Sequence, residues 1–221
     1  MKKNYDAVFF DFDGTIADTS KGIFASADYA ARAFGLPLPD DAGHRYFMGP
    51  PLTESFEVIF GLKGEDAVNA VKKYREYYTA GGMFELEFYP GMLEFFDLLQ
   101  KNGVKTAVTS SKPGMFVAQI LEHYGIAGKI DHIACPLDDR HPESKCSLIT
   151  RAVAHFGIDK SRALMLGDRY LDMQGAVQAD VDGCGALWGY GTEDELLKAG
   201  AKFIARRVCD VSSLVFSEET E

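Results

Sequence analysis

The chain has 221 residues, of which 47% are hydrophobic and 25% are charged, values typical of a folded globular protein and not of a disordered one. Lysine and arginine total 23 against 33 aspartates and glutamates, which gives a formal net charge of −10. This charge repels nucleic-acid backbones and anionic membranes, so we expect neither as a partner.

The cysteines and the N-terminal segment narrow the class of protein further. The cysteine spacing matches neither a zinc site nor a thioredoxin-like motif, so we expect reduced thiols at Cys135, Cys146, Cys184 and Cys209. Acidic residues soon break the first apolar run, and no stretch of about 18 apolar residues occurs, so neither a signal peptide nor a membrane-spanning helix is predicted. On these grounds we expect a cytoplasmic protein.

The first predicted element is a buried strand at residues 7–10 (AVFF), a short apolar run that ends at an acidic turn. Similar runs predict three more strands, at residues 104–108, 163–166 and 184–187. Three helix-like stretches each end before a glycine, which suits the left-handed position after a helix; they are residues 91–102, 114–124 and 144–156. This alternation predicts an α/β fold with a doubly wound, Rossmann-like parallel sheet.

Residues 16–89 have a different pattern. Helical stretches follow one another there without a buried strand between them, separated by glycines and prolines. The predicted helices are residues 19–34, 40–48, 53–60 and 65–80. We therefore predict a helical domain at residues 16–89, inserted after the first strand of an α/β core that is formed by residues 1–15 and 90–221.

Acidic and hydroxyl side chains follow the predicted strands. Asp11 and Asp13 come directly after the first strand, Thr109 follows the second, and Asp168 follows a later one. Ligands of an open parallel sheet bind at the carboxyl ends of its strands, so we expect these side chains to converge. A carboxylate nucleophile can hold a phosphoryl group while a second carboxyl group acts as general acid and base. The alternative interpretation of the acidic turn is a helix cap.

Four short motifs occur along the chain in the same order as the four motifs of the haloacid dehalogenase superfamily, which the sequence resembles over nearly its whole length. Residues 11–15 (DFDGT) match its first motif, DxDGT, and residues 167–172 (GDRYLD) match its fourth, GDxxxD. Thr109, at the end of an apolar strand, is similar to the second motif, and Lys145, at the start of a later helix, is similar to the third. The resemblance implies a phosphoric monoester hydrolase with the fold of that superfamily, in its phosphoglycolate phosphatase-like branch.

The resemblance also implies a catalytic role for each matching residue. Asp11 would attack phosphorus, and Asp13 would protonate the leaving oxygen and later activate water. Thr109 and Lys145 would bind the phosphoryl oxygens. Many relatives have Lys-Pro in the third motif, whereas a cysteine follows Lys145 here, so Lys112 is an alternative for the phosphate-binding lysine.

By the same resemblance the cofactor is Mg²⁺, a cation that suits an all-oxygen site with room for waters and a phosphate. The expected ligands are the side chains of Asp11 and Asp168 and the main-chain carbonyl of Asp13. Asp172 would either bind the metal directly or hold its waters, and both alternatives stay open.

Substrate contacts are expected in two places. Gly14, Thr15 and Ser110 belong to or adjoin the first two motifs and are assigned to substrate binding. The helical insertion corresponds to the cap domain that closes over the site in this superfamily, and residues 44–52 look like the cap loop of phosphoglycolate phosphatase-like members. Arg45 in that loop is the candidate for binding an anionic group of the substrate, and the alternative interpretation is a solvated helix residue.

The leading hypothesis for function is hydrolysis of a small, phosphoglycolate-like phosphomonoester through an aspartyl-phosphate. The alternatives are a 5′-nucleotidase that acts on nucleoside monophosphates and a sugar-phosphate mutase. Asp13 argues against a dehalogenase, whose first motif lacks the second aspartate, and no cap lysine suits a phosphonate-cleaving Schiff base. The intact motifs argue against a non-catalytic binding module. The expected partner is a small phosphorylated metabolite, and the expected assembly is a monomer or homodimer.

Overall fold

The computed structural model describes residues 2–139 and 141–217. In these residues the strands, in chain order, are β1 (Lys2–Lys3), β2 (Ala7–Phe10), β3 (Ala17–Asp18), β4 (Glu87–Phe88), β5 (Lys105–Val108), β6 (His132–Ile133), β7 (Ala163–Gly167), β8 (Asp182–Ala186), β9 (Phe203–Ala205) and β10 (Phe216–Ser217). The α-helices are α1 (Ser20–Ala33), α2 (Asp41–Tyr46), α3 (Leu52–Phe60), α4 (Glu65–Ala80), α5 (Met92–Lys101), α6 (Gly114–His123), α7 (Lys145–Phe156), α8 (Tyr170–Ala179), α9 (Glu193–Lys198) and α10 (Val208–Val215). The chain divides into two compact units: a core unit, Met1–Ala17 with Phe88–Glu221, and a helical unit, Asp18–Glu87.

The core unit is built on a six-stranded sheet in the order β6-β5-β2-β7-β8-β9. Its neighbouring strands are parallel, and Phe10 at the end of β2 pairs with Val108 on β5 and Leu166 on β7. All residues of β2 and β7 are buried, as expected of strands covered on both faces. The predicted α/β fold with a parallel sheet is confirmed. The carboxyl ends of β2, β5 and β7 consequently lie side by side.

Helices of the core unit bury apolar side chains against this sheet. The ring of Phe96 on α5 meets the ring of Phe10 edge to face, with 5.1 Å between centroids. On α7, Ile149 joins a buried cluster that includes Met165 of β7. Truncating such a buried side chain to alanine costs about 2–5 kcal/mol. α7 ends at Gly157, whose φ of 62° is the left-handed conformation that glycine adopts at low cost.

Close backbone approach and aromatic packing hold the helical unit together. A Cβ atom on Gly22 of α1 would lie only 1.9 Å from the carbonyl oxygen of Gly82, so this approach requires glycine. The ring of Phe47 lies 5.0 Å from Phe56 and 6.4 Å from Tyr74. The four helices predicted for this part of the chain correspond to α1–α4.

The structure departs from the predicted elements at the sheet edges and at the junctions of the units. The edge strands β6 and β9 have only 2 and 3 residues, too few for a periodic signal, and were not predicted. The strand predicted at residues 184–187 begins earlier, at Asp182. The segment expected to contain helices alone also carries β3 and β4, which pair with each other. Among the described residues, no helix has the length and apolar character needed to cross a membrane.

Candidate active site

Asp11 lies at the carboxyl end of the central strand. It follows β2 directly, and its main-chain N–H donates a hydrogen bond of 2.9 Å to the Leu166 carbonyl at the end of β7. Its side chain keeps 13% of its surface exposed and accepts a hydrogen bond of 3.0 Å from Lys145 Nζ through Oδ1. The nucleophile candidate is thus fixed at the sheet edge and still accessible from solvent.

Lys145 reaches this edge from the first turn of α7. The helix begins there because the Ser144 hydroxyl accepts a hydrogen bond from the main chain of the first turn. Lys145 Nζ also donates to the Thr109 carbonyl, at 2.8 Å, and pairs with Asp172 Oδ1, at 2.7 Å. Burial alone would lower the pKa of Lys145, but the carboxylates of Asp11 and Asp172 outweigh it and hold the pKa above its ordinary value. Lys145 therefore remains a buried cation.

Asp168 follows β7 and is fully buried. Its Oδ1 accepts a hydrogen bond of 2.9 Å from the Thr15 hydroxyl, and its Oδ2 accepts one of 2.8 Å from the Tyr190 main-chain N–H. Burial, followed by the negative charges of Asp172 and Asp11, raises the pKa of Asp168 well above its ordinary range, against these hydrogen bonds. The carboxylate is therefore held in a single orientation in a region that already has excess negative charge.

Asp172 projects into the same region from the first turn of α8. Its Oδ2 accepts a hydrogen bond of 3.0 Å from the Arg169 main-chain N–H, which closes the start of that helix. Burial raises the pKa of Asp172 to about 6; the charge of Lys145 opposes this rise and the charge of Asp11 adds to it.

The three carboxylates of Asp11, Asp168 and Asp172 form a candidate metal site. Each offers an oxygen atom, and these atoms lie within 4.8 Å of one another. Lys145 pairs with two of them, Asp11 and Asp172, and the single positive charge of one ammonium group is smaller than the charge of three carboxylates. A divalent cation with a preference for oxygen ligands fits both the donor atoms and the charge.

Asp13 is paired with a different lysine. Lys112 Nζ lies 2.7 Å from Asp13 Oδ1 and 5.5 Å from the centre of the Phe12 ring, and only 6% of the Lys112 side chain is exposed. Both lysines considered for the phosphate therefore reach the motifs, each beside its own aspartate: Lys145 beside Asp11 and Lys112 beside Asp13.

The remaining sequence-derived candidates lie in three different settings. Thr109 is at the sheet edge, and its buried hydroxyl lies 3.1 Å from Met165 Sδ and 3.5 Å from the Phe10 carbonyl oxygen. Ser110 is nearly buried and accepts a hydrogen bond of 3.3 Å from the Lys112 main-chain N–H. Arg45 belongs to the helical unit, where it is exposed in the last turn of α2.

Gly14 and Thr15 form the turn after Asp13. Gly14 has a φ of +83°, and a Cβ atom there would lie 2.3 Å from Asp168 Oδ2. The turn therefore needs glycine for its conformation and for the close approach of Asp168. Sequence reasoning assigned Thr15 to the substrate, whereas in the structure its hydroxyl is used by Asp168.

Two features of the site escaped sequence reasoning. One is the ion pair of Lys112 with Asp13. The other is the loop after β8, whose Tyr190 main-chain N–H donates to Asp168. The only local signal for that loop is the pair of glycines in residues 187–191 (LWGYG), a pattern common to many turns.

These buried carboxylates and lysines lie at the carboxyl edge of a parallel sheet, where enzymes of the α/β class bind their ligands, and three of the carboxylates could hold a metal ion. The family model described as haloacid dehalogenase-like hydrolase matches residues 8–186. The chain therefore belongs to the haloacid dehalogenase-like hydrolases.

Curated relatives and solved structures agree with this membership. A 5′-nucleotidase of Pseudomonas aeruginosa is 33% identical over 87% of each chain, and the tyrosine-protein kinase PtkA of Mycobacterium tuberculosis is 32% identical over 89% of this chain and 67% of its own. A phosphoglycolate phosphatase of Vibrio vulnificus is 26% identical over 94% of this chain and 95% of its own. The structure of a haloacid dehalogenase-like hydrolase from Streptococcus pneumoniae superposes with a TM-score of 0.87, 29% identity and coverage of 96% and 98%. The expectation of a phosphatase of this superfamily, a phosphoric monoester hydrolase, is confirmed.

Proposed function

We propose that the protein is a Mg²⁺-dependent phosphatase that hydrolyses a small phosphomonoester through a phosphorylated Asp11. The observation that best supports this proposal is that the two lysines at the sheet edge contact different aspartates. Lys145 pairs with Asp11 and Asp172 of the candidate metal site, while Lys112 pairs with Asp13. Two carboxylates of one turn thus have different surroundings, as a nucleophile and an acid–base group require.

In the first step Asp11 would attack phosphorus and form a P–O bond, while the bond from phosphorus to the leaving oxygen breaks. Asp13, which would enter this step in its protonated form, would give its proton to that oxygen, so the product leaves as an alcohol. Lys145 beside Asp11 would reduce the repulsion between the nucleophile and the anionic phosphate.

In the second step water would attack the phosphorus of the phosphorylated Asp11. Asp13, now a carboxylate, would take a proton from that water, and the bond between phosphorus and Asp11 would break to release inorganic phosphate. Both side chains then return to their starting states. Lys112 would keep Asp13 in place between the two proton transfers.

Asp11, Asp168, Asp172 and the main-chain carbonyl of Asp13 would hold Mg²⁺. Bound there, the ion supplies neutralisation of the carboxylates and polarisation of the phosphoryl oxygens. The residues supply the orientation, because Thr15 and Tyr190 fix Asp168 and Arg169 fixes Asp172.

A nucleoside monophosphate is the substrate class that we place ahead of phosphoglycolate. Identity supports this order, since the 5′-nucleotidase of Pseudomonas aeruginosa is 33% identical and the phosphoglycolate phosphatase of Vibrio vulnificus is 26% identical. A sugar-phosphate mutase and a kinase like PtkA are the competing activities, and both differ in the fate of the phosphoryl group. Only a phosphatase releases inorganic phosphate from a monoester without a second acceptor.

The experiment that tests the function combines Asp11→Asn with a panel of phosphomonoesters. We expect phosphate release by the parent protein in Mg²⁺, none in a chelator, and a loss of about 1,000-fold or more in Asp11→Asn, because an amide is a poor nucleophile. Acid-quenched parent protein should carry a phosphoryl group on Asp11 by mass spectrometry. Asp194→Asn, which changes an exposed carboxylate of α9, is the matched control and should keep full activity. Retention of activity in Asp11→Asn to within about tenfold of the parent would exclude this mechanism.

A further inference from the structure

The loop of residues 188–191, which follows β8, makes two hydrogen bonds to the site. The Trp188 indole N–H donates to the Thr15 carbonyl at 3.0 Å, and the Tyr190 main-chain N–H donates to Asp168 Oδ2 at 2.8 Å. Thr15 in turn donates its hydroxyl to Asp168 Oδ1. Both oxygens of Asp168 therefore have a donor, one from this loop and one from a residue that the loop itself holds.

The two glycines of the loop lie in contact with these groups. A Cβ atom on Gly189 would lie 2.3 Å from the Gly14 carbonyl oxygen and 2.4 Å from Asp168 Cβ. A Cβ atom on Gly191 would lie 2.0 Å from the Asp168 carbonyl oxygen. These distances are shorter than any van der Waals contact, so even alanine would displace the loop, the first-motif turn or Asp168.

We propose that residues 188–191 form a positioning loop, which sets the orientation of the Asp168 carboxylate for a divalent metal ion and thereby sets the metal affinity of the site. The inference rests on the metal site in the proposed function and adds to it residues outside the four motifs. None of the loop residues is a metal ligand in this scheme. They act through Asp168 and Thr15, as groups behind a ligand commonly do.

The physical reason is the burial of Asp168. A buried carboxylate beside two other carboxylates gains by rotating away from them, and this rotation removes a ligand oxygen. Two opposed hydrogen bonds hold the plane of the carboxylate, so the metal does not have to reorganise it on binding. A loop that served only to cover the sheet would need neither a donor aimed at Asp168 nor glycines against it.

The test is metal binding by the full-length protein without substrate. Mn²⁺, which shares the preference of Mg²⁺ for oxygen ligands, can be titrated and followed by electron paramagnetic resonance. We expect Gly189→Ala to weaken Mn²⁺ binding by about 10- to 100-fold, the usual range for a group behind a metal ligand. Gly128→Ala is the matched control, because no atom lies within 4 Å of a Cβ placed there, and its Kd should equal that of the parent.

Two milder variants keep the inference testable if Gly189→Ala does not fold. Thr15→Val removes the hydroxyl donor to Asp168 and keeps the branched shape, and Trp188→Phe removes the indole N–H and keeps a ring. Both should weaken Mn²⁺ binding by a few-fold, as expected for the loss of one hydrogen bond, and raise the Mg²⁺ concentration for half-maximal activity more than they lower kcat.

The outcomes also separate this inference from the function. Parent-like Mn²⁺ affinity in a folded Gly189→Ala, or in both milder variants, overturns the positioning role and leaves the phosphatase mechanism intact. A lower Tm with unchanged Kd has the same meaning, because the loop would then only pack. A parent protein that binds no Mn²⁺ overturns both proposals together.

Discussion

The sheet edge of the core unit and the surface of the helical unit use charged side chains in opposite ways. At the sheet edge, Lys145 pairs with Asp11 and Asp172, residues that are distant in the sequence, and less than a seventh of any of these side chains is exposed. In the helical unit, Lys73 pairs with Glu76 one turn away, and both are more than 40% exposed. The first arrangement depends on the whole fold, whereas an isolated helix can form the second.

The difference supports the proposal that the buried charges at the sheet edge serve catalysis. Burying ionised groups is costly, and replacing a buried pair by apolar residues is often neutral or stabilising. Exposed pairs one turn apart contribute little either way and are screened by salt. The stability of the fold therefore does not explain the buried lysine and aspartates at the sheet edge. The exposed charges of the helical unit need no explanation beyond solubility. Each prediction below tests one side of this contrast.

Lys145→Met should have the largest effect. It leaves Asp11 and Asp172 buried without their cation, so we expect the free energy of unfolding to fall by about 3–5 kcal/mol. Activity should fall by about 1,000-fold, as on loss of a group that stabilises charge in the transition state. Urea unfolding and phosphate release measure the two effects.

The same substitution at Lys198 is the matched control. Lys198 pairs with Asp194 on α9 of the core unit, and both side chains are more than 70% exposed. Lys198→Met should leave unfolding and activity unchanged, because exposed pairs of this kind contribute little. Equal destabilisation by the two substitutions would contradict the contrast between buried and exposed charges.

Asp13→Asn should have the second largest effect on activity, and the size of that effect should depend on the leaving group. Without the proton donor, the first phosphoryl transfer should slow by about 100- to 1,000-fold for an alkyl phosphate and much less for an activated aryl phosphate. Rapid-quench measurement of that single step is required, because slow breakdown of the phosphorylated Asp11 would otherwise mask the difference. An equal loss for both substrates would argue against Asp13 as the acid.

The fold and most of the residues at the sheet edge could be predicted from the sequence. β2 and β7 carry continuous apolar runs, β5 ends in a short one, and short motifs follow all three strands directly, so the carboxyl ends of these strands could be predicted to meet. β6 and β9 were missed because pairing to a formed sheet, and not their own two or three residues, makes them strands.

The contacts between side chains of the site could not be predicted in the same way. Which lysine meets which aspartate depends on the path of two loops, so Lys112 could be named as an alternative but not paired with Asp13. The Tyr190 donor is a main-chain N–H, which every residue except proline has, so its role has no sequence signature. Thr109 follows β5, and the direction of its hydroxyl toward Met165 and the Phe10 carbonyl is set by tertiary packing.

Arg45→Ala tests whether the helical unit has any charge that is kept for chemistry. If Arg45 binds an anionic group of the substrate, kcat/KM for the best anionic metabolite should fall by about 10- to 100-fold, the loss of a charge-assisted contact. Turnover of an aryl phosphate with a neutral tail should stay unchanged. Arg32→Ala, at an exposed arginine of α1, is the control. An equal fall in kcat/KM for both substrates, or no change for either, would show that Arg45 is a solvated surface residue without a role in substrate binding.

The smallest effect is expected at a histidine pair of the core unit, formed by one residue of β6 and one of the last turn of α7. The rings of His132 on β6 and His155 on α7 stack in parallel, 3.7 Å apart, and His132 Nε2 is buried with no hydrogen-bond partner among the described residues. Burial, then the proximity of His155 and Arg151, lowers the pKa of His132 below its ordinary 6.5. The unfolded chain therefore binds a proton at His132 more readily than the folded chain does. The stability of the fold with a neutral His132 is fully present above pH 6.5 and is lost as the pH falls through the folded pKa.

His132→Gln should make the free energy of unfolding less dependent on pH between about 7 and 5, by at most about one proton. An unaltered slope in His132→Gln would show that burial of a neutral ring, unlike burial of the charged groups at the sheet edge, has no measurable pH cost in this protein.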